Sequence, residues 1–209
     1  IDIFYESFGA KSNPAMLLVG GLGWQMTAWE EAFCNQLANG EFYVIRFDSR
    51  DAGLSSQFDE HGVPDMAAII KDMQSNRKPK VPYTLDDMAA DGVGLMDALG
   101  IEKAHICGTS MGGMIAQCMA INHQDRILSI TSIGSTTGNP ELPRPRQSEA
   151  LTMASAARIN EREAAVQLSP PCVPRLSRRG RGLPTSRGSL PPRWPDLARG
   201  GPSLRSLSH

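Results

Sequence analysis

Ile106-Cys107-Gly108-Thr109-Ser110-Met111-Gly112-Gly113 is the stretch that decides how this chain is read. Apolar residues lead into it from Lys103 to Cys107 and out of it from Met114 to Met119, so a strand passes directly into a helix with a serine at the corner. Gly108 and Gly112 stand two positions to either side of that serine, the G-x-S-x-G spacing of a nucleophile elbow. The spacing has a steric cause. A hydroxyl that projects from so sharp a corner brings the incoming strand and outgoing helix together at the flanking positions, which cannot then carry a Cβ. Gly113 extends the clearance into the first helical turn, and the Met111 N–H at the helix N-terminus points to where an oxyanion would form. Ser110 is the candidate nucleophile; a Gly-rich strand–helix turn that only packs is the alternative.

Upstream of the elbow, Thr84-Leu85-Asp86-Asp87 has capping-box spacing and opens a helix whose apolar face is Leu85, Met88, Ala89, Val93, Met96 and Leu99, closed by Gly100. Further back, Ala15-Met16-Leu17-Leu18-Val19 and Phe42-Tyr43-Val44-Ile45-Arg46-Phe47 read as buried strands, and Ile3 to Phe8 alternates like a strand. Between them Thr27-Ala28-Trp29-Glu30 has a second capping-box spacing, with Trp29, Ala32, Phe33 and Leu37 at helical intervals up to Asn39-Gly40. A polar turn, Asp48 to Ser55, and an irregular stretch to about Pro82 follow. Downstream of the elbow, Arg126 to Ile133 supplies one more strand. Strands alternating with helices at this spacing predict an α/β fold, a mostly parallel sheet covered on both faces.

At 209 residues the chain is long enough for one such domain, and no span of about 18 apolar residues suggests a membrane helix. Cys34, Cys107, Cys118 and Cys172 have neither metal-ligand spacing nor a disulfide framework, and no signal peptide is evident, so a cytoplasmic protein without a metal is expected. The chain opens at Ile1, within a strand and without an initiator methionine, as a fragment would.

The formal net charge of -1 hides two unlike parts. From Leu168 onward there are eight arginines and one aspartate, leaving 13 of the 21 basic and 21 of the 22 acidic residues in the body. The segment is mostly Arg, Pro, Ser, Gly and Leu and lacks Ile, Met, Phe, Tyr, Lys, Glu, Asn and Gln. It cannot bury enough apolar area to offset the entropy of ordering it, so disorder is expected. The abruptness of the change has the character of a GC-rich sequence translated in a shifted frame. Its arginines raise nucleic-acid binding as a reading, but no nucleic-acid partner is expected.

Several stretches together carry a family resemblance over residues 1–167. Gly108 to Gly113 resembles the elbow of the α/β-hydrolase superfamily, and Tyr83 to Gly100 resembles the helix that precedes it there. Asp48-Ser49-Arg50-Asp51-Ala52-Gly53-Leu54-Ser55 is similar to the D-x-R-G-x-G-x-S turn, with Asp51 where glycine is usual. Gly20-Gly21-Leu22-Gly23 stands where the family has H-G-x-G, with Gly20 in place of histidine. With Ser135-Thr136-Thr137-Gly138-Asn139-Pro140 after the later strand, the combination resembles the branch containing aclacinomycin methylesterase and related small-ester hydrolases.

The resemblance implies that Ser110 attacks the carbonyl of a small carboxylic ester or lactone and that the N–H groups of Leu22 and Met111 hold the oxyanion. It implies no cofactor and no metal, and it sets no oligomeric state. The expected organisation is a partial hydrolase core at residues 1–139, the start of a helical cap or lid insert at 140–167, and a disordered tail at 168–209. In this superfamily the triad acid and histidine follow the nucleophile on later strands. Here the sheet is expected to lack its last strands, and neither His61, His105, His123 and His209 nor Asp196 sits in a matching place. Two outcomes therefore stand open: a serine hydrolase impaired by loss of its acid and base, or a non-catalytic, truncated hydrolase chain.

Overall fold

Leu17, Leu18 and Val19 have no polar side chain to turn toward water, and they lie fully buried in the middle of a sheet. In the computed structural model the described residues are 1–75 and 77–139. They form five strands, β1 (Tyr5–Phe8), β2 (Ala15–Val19), β3 (Tyr43–Phe47), β4 (Ala104–Thr109) and β5 (Ile127–Ile133), in the spatial order β1-β3-β2-β4-β5. β1 runs antiparallel to β3; the other neighbours are parallel. The expected insert at 140–167 and tail at 168–209 lie outside the described residues.

Period-two alternation sorts the strand residues onto two faces. Leu17, Val19, Ile45 and Ile106 join one core cluster with α3 (Leu85–Leu99) and α4 (Met111–Asn122). Leu18, Val44 and Cys107 face the opposite way and pack with Trp29 and with Cys34 of α1 (Glu31–Asn39). Each fully buried Leu, Ile or Val contributes about 1.5–3 kcal/mol relative to an exposed one. β2 connects through α1 to β3 on one side, and the chain then returns to place β4 on its other side. That reversal opens a crevice at the carboxyl ends of β2 and β4, the usual ligand position in open α/β sheets.

α3 has the ends its sequence predicts. The Asp87 N–H donates to Thr84 Oγ1 at 3.4 Å, and the Thr84 N–H donates to Asp87 Oδ2 at 2.7 Å. At the other end Gly100 is left-handed (φ 71°), and the Ile101 N–H donates to the Met96 carbonyl at 2.8 Å.

The capping box expected at Thr27–Glu30 does not form. Met26–Ala28 is a single 3-10 turn, and α1 begins only after Glu30, an extended residue with no side-chain cap. Trp29 is the reason. Its ring is drawn into the core, stacked on Phe33 at 5.7 Å, and its carbonyl accepts the Arg46 guanidinium, so the backbone there serves the sheet before the helix starts. The stretch expected to be irregular contains α2 (Met66–Gln74). Asp65 Oδ1 accepts from the Ala68 N–H at 3.0 Å, a capping signal that precedes only nine helical residues flanked by prolines.

The polar turn after β3 ties the sheet to α3. Arg50 makes a two-pronged ion pair with Asp91, Nε to Oδ2 and Nη2 to Oδ1 both at 2.6 Å, with its guanidinium 5.2 Å from each of the Phe58 and Tyr83 ring centres. Asp51, where glycine is usual in the resembling turn, is left-handed with φ 62°. That conformation explains the glycine, and aspartate tolerates it better than most residues. Its carboxylate also accepts from the Phe58 N–H at 2.7 Å and the Tyr83 hydroxyl at 2.6 Å.

Replacing Asp51 separates these two effects. Asp51→Gly loses the carboxylate bonds but fits the backbone; Asp51→Ala loses the bonds and is strained as well. Urea melts should place the alanine variant about 1–2 kcal/mol below the glycine variant. The buried thiols make a second test. Burial pushes the Cys34 and Cys107 thiols up from their ordinary value, which keeps them protonated in the folded chain. Iodoacetamide at pH 8.5 should modify both far more slowly in folded than in urea-unfolded protein. The stability they contribute should be full at neutral pH and decline as alkali ionises them.

Candidate functional site

Ser110 occupies the single step between β4 and α4, at φ 53° and ψ −120°. Non-glycine residues rarely adopt this region, and holding one there costs about 1–3 kcal/mol that the surroundings must supply. They supply it on three sides. The Ser110 N–H donates to the Ile133 carbonyl at 2.9 Å, which continues the β4–β5 pairing through the corner. The Gly113 N–H donates to the Ser110 carbonyl at 3.0 Å and closes the first turn of α4. The third support is a crossing of bare backbone: a Cβ on Gly108 would overlap the Gly112 carbonyl, and a Cβ on Gly112 would overlap the carbonyl oxygens of Val19 and Gly20. Gly113 faces the Ser132 and Ser135 side chains nearly as closely, with 2.6 Å between the place of its missing Cβ and Ser135 Cβ. The expected glycines are therefore required by contact.

β2 delivers the second part of the site. Val19 is in register with Gly108, so the loop after β2 leaves the sheet beside the corner. A Cβ on Gly21 would stand 3.3 Å from Ser110 Cβ, which places the Gly20–Gly23 loop directly against the serine. The Trp24 N–H turns back to the Gly21 carbonyl at 3.1 Å, and no hydrogen bond leaves the Leu22 N–H among the described residues. Met111 is the first residue of α4, so its N–H has no acceptor within the helix. Ser110, Leu22, Met111, Gly108 and Gly112 are thus gathered at one end of two adjacent parallel strands, with Ser110 and Leu22 half-buried and Met111 buried.

The described histidines are elsewhere. His105 is five residues earlier on β4, about 17 Å along the strand, with Nδ1 2.8 Å from Ser129 Oγ and its ring edge-on to Phe42. Burial lowers its pKa. His123 ends α4, about 18 Å from the corner, and His61 stacks on Phe58 with Nε2 3.6 Å from Glu60. His209 and Asp196 lie outside the described residues. Among the described residues no group of three or more His, Cys, Asp or Glu side chains is placed to hold a metal ion, and no helix is long and apolar enough to cross a membrane.

Two supports escaped the sequence reading. Gln117 Nε2 donates to the Gly113 carbonyl at 3.1 Å and the Thr136 carbonyl at 3.2 Å, pinning the segment after β5 onto the elbow helix. A glutamine nearly two turns into an apolar helix was its only signal. Asp48, recognised only as part of a motif, reaches across to the Met26 N–H at 2.6 Å.

A family model described as the alpha/beta hydrolase fold matches residues 14–158, and the chain belongs to that family. A rhodomycin D methylesterase from Streptomyces sp. strain C5 is 29% identical over 131 residues, covering 63% of this chain and 38% of the relative. The 3-oxoadipate enol-lactonase 2 of Acinetobacter baylyi is 30% identical over 128 residues, covering 60% of this chain and 39% of the relative. The chain thus spans less than half the length of these curated relatives. Among solved structures, a hydrolase from Pseudomonas aeruginosa shares the fold with a TM-score of 0.56 at 21% identity, over 81% of this chain and 68% of that one. The enol-lactonase of Burkholderia xenovorans LB400 gives 0.52 at 23% identity, over 79% and 67%.

The bare crossing predicts a sharp sensitivity. Gly112→Ala drives a methyl group into two backbone carbonyls that cannot rotate away. Thermal melting should show a loss of about 3 kcal/mol or no folded protein at all, whereas Gly94→Ala, where an added Cβ meets nothing within 4 Å, should melt at or above the parent temperature.

Proposed function

We propose that this α/β-hydrolase-fold chain carries the nucleophile half of a hydrolase for small carboxylic esters or lactones. Ser110 Oγ attacks the carbonyl carbon, the C–O bond to the alcohol breaks, and the acyl group stays on Ser110 until water releases it as the acid. The N–H groups of Leu22 and Met111 receive the negative charge that develops on the carbonyl oxygen. One observation carries the reading: Ser110 is held at a positive φ beside a glycine loop so close that a Cβ added to Gly21 would stand 3.3 Å from the Ser110 Cβ. A residue that only packed would not need so strained a corner. The relatives named as a methylesterase and an enol-lactonase support the ester or lactone class, and the free thiols of Cys34, Cys107 and Cys118 fit the expected cytoplasmic setting.

Attack also requires a base to take the Oγ proton and return it to the leaving alkoxide. His105 and His123 stand about 17–18 Å from the corner, which favours a chain of reduced activity. Oxyanion donors and binding alone leave about 10³–10⁴ over water. The second reading, a hydrolase fold without turnover, rests on the same placement.

A fluorophosphonate probe and p-nitrophenyl acetate separate the readings. The first expects a phosphonyl adduct on Ser110, located by mass spectrometry, and ester turnover that Ser110→Ala abolishes. A folded chain that forms no adduct and turns over no ester supports the second.

A further inference from the structure

We infer that Asp48 is the positioning residue that holds the loop between β2 and Met26, and so fixes the Leu22 N–H against Ser110. The inference rests on the proposed reading of Leu22 as an oxyanion donor. Few side chains hold the loop: Gly20, Gly21 and Gly23 carry none, Gly23 is left-handed (φ 69°), and Trp24, 42% exposed, meets the Trp29 ring edge-on at 6.4 Å between ring centres. Two anchors bound it. One end is Val19, locked in register with Gly108. The other is Met26, whose N–H donates to Asp48 Oδ1 at 2.6 Å.

Asp48 is built to make that bond. It directly follows β3, the strand beside β2, and is only 3% exposed. Oδ2 accepts from the Leu54 N–H at 2.9 Å, and the main-chain carbonyl accepts from Ser55 Oγ at 2.6 Å. Its N–H donates to the Phe4 carbonyl at 2.9 Å. Gly53 is bare because a Cβ there would overlap the carboxylate. The Leu54 and Ser55 bonds already close the 48–55 turn. The Met26 bond does something different, because it joins that turn to a segment 22 residues earlier that leads straight to the oxyanion position. A carboxylate is required: an amide offers one acceptor oxygen, and its NH₂ would then confront either the Met26 or the Leu54 N–H.

Asp48→Asn, with Ser55→Ala as control, tests this in the full chain. Ser55→Ala weakens the same turn and leaves both carboxylate bonds. By hydrogen–deuterium exchange, Asp48→Asn should speed amide exchange across residues 20–26 by about tenfold or more, while Ser55→Ala leaves that segment at the parent rate. Phosphonylation of Ser110 by the fluorophosphonate should slow by about 10²-fold in Asp48→Asn, with apparent probe affinity little changed. Met26→Pro deletes the donor at a first helical position preceded by an extended residue (ψ 158°), and it should loosen the same segment even if Asp48→Asn does not fold. Faster exchange confined to residues 48–56, or equal loosening of 20–26 by Ser55→Ala, overturns the inference. Unchanged phosphonylation in Asp48→Asn also overturns it. If the parent chain forms no adduct, the catalytic reading of Ser110 fails, and the exchange measurements alone decide whether Asp48 holds the loop.

Discussion

The structure depends on a place where peptide backbone meets peptide backbone with nothing between. Gly112, in the first turn of α4, rests on the Val19 and Gly20 carbonyls, and Gly108 rests on Gly112. Only at that separation can a parallel strand, the loop leaving its neighbour and a helix N-terminus converge on one residue. The convergence forces Ser110 to a positive φ, and packing on both sides of the sheet holds the strain in place. α4 is apolar on nearly every side because it is enclosed by the sheet and α3, so the corner cannot relax by tilting the helix outward. Interiors at this density transmit displacement rather than absorb it.

Around this apolar centre lies a buried polar frame with a separate task. Asp48, Arg50, Asp51 and Ser55 are all buried, and each pays for its desolvation by bonding a different segment: the loop after β2, α3, the turn before α2, and the N-terminal strand region. Backbone N–H groups and the Tyr83 hydroxyl satisfy the two carboxylates, and the Asp91 carboxylate satisfies the Arg50 guanidinium, the form in which buried charges are tolerated. The frame fixes loops that have no cores of their own. The apolar layers set the distance between sheet and helices, and the polar turn sets where the irregular segments lie upon them. On the other face Arg46 has a similar role, binding Glu6 of the edge strand and the Trp29 carbonyl, with Phe8 under its guanidinium.

Much of this was legible in the sequence because it depends on local rules. The elbow glycines, the α3 capping box and the continuous apolar runs of β2 and β3 each report a requirement met within a few residues. The errors came where a distant partner outweighed the local signal. Thr27–Glu30 has capping spacing, yet burial of Trp29 and the Arg46 guanidinium on its carbonyl keep that backbone out of the helix. α2 was hidden because a nine-residue helix between prolines shows little periodicity, and among its described side chains Ile69 is the buried one. Asp51 looked like a departure from a motif; its φ of 62° shows the same turn conformation with a different residue.

The sequence by itself determined the α/β class, the strand–serine–helix corner and the need for bare shoulders at Gly108 and Gly112, because backbone sterics and side-chain period act over a few residues. Only the tertiary structure decided that Gly21 lies against Ser110, that Asp48 reaches Met26, and that His105 and His123 point their chemistry elsewhere. Those facts depend on which strands become neighbours and in what register, and that is settled by packing the whole sheet at once.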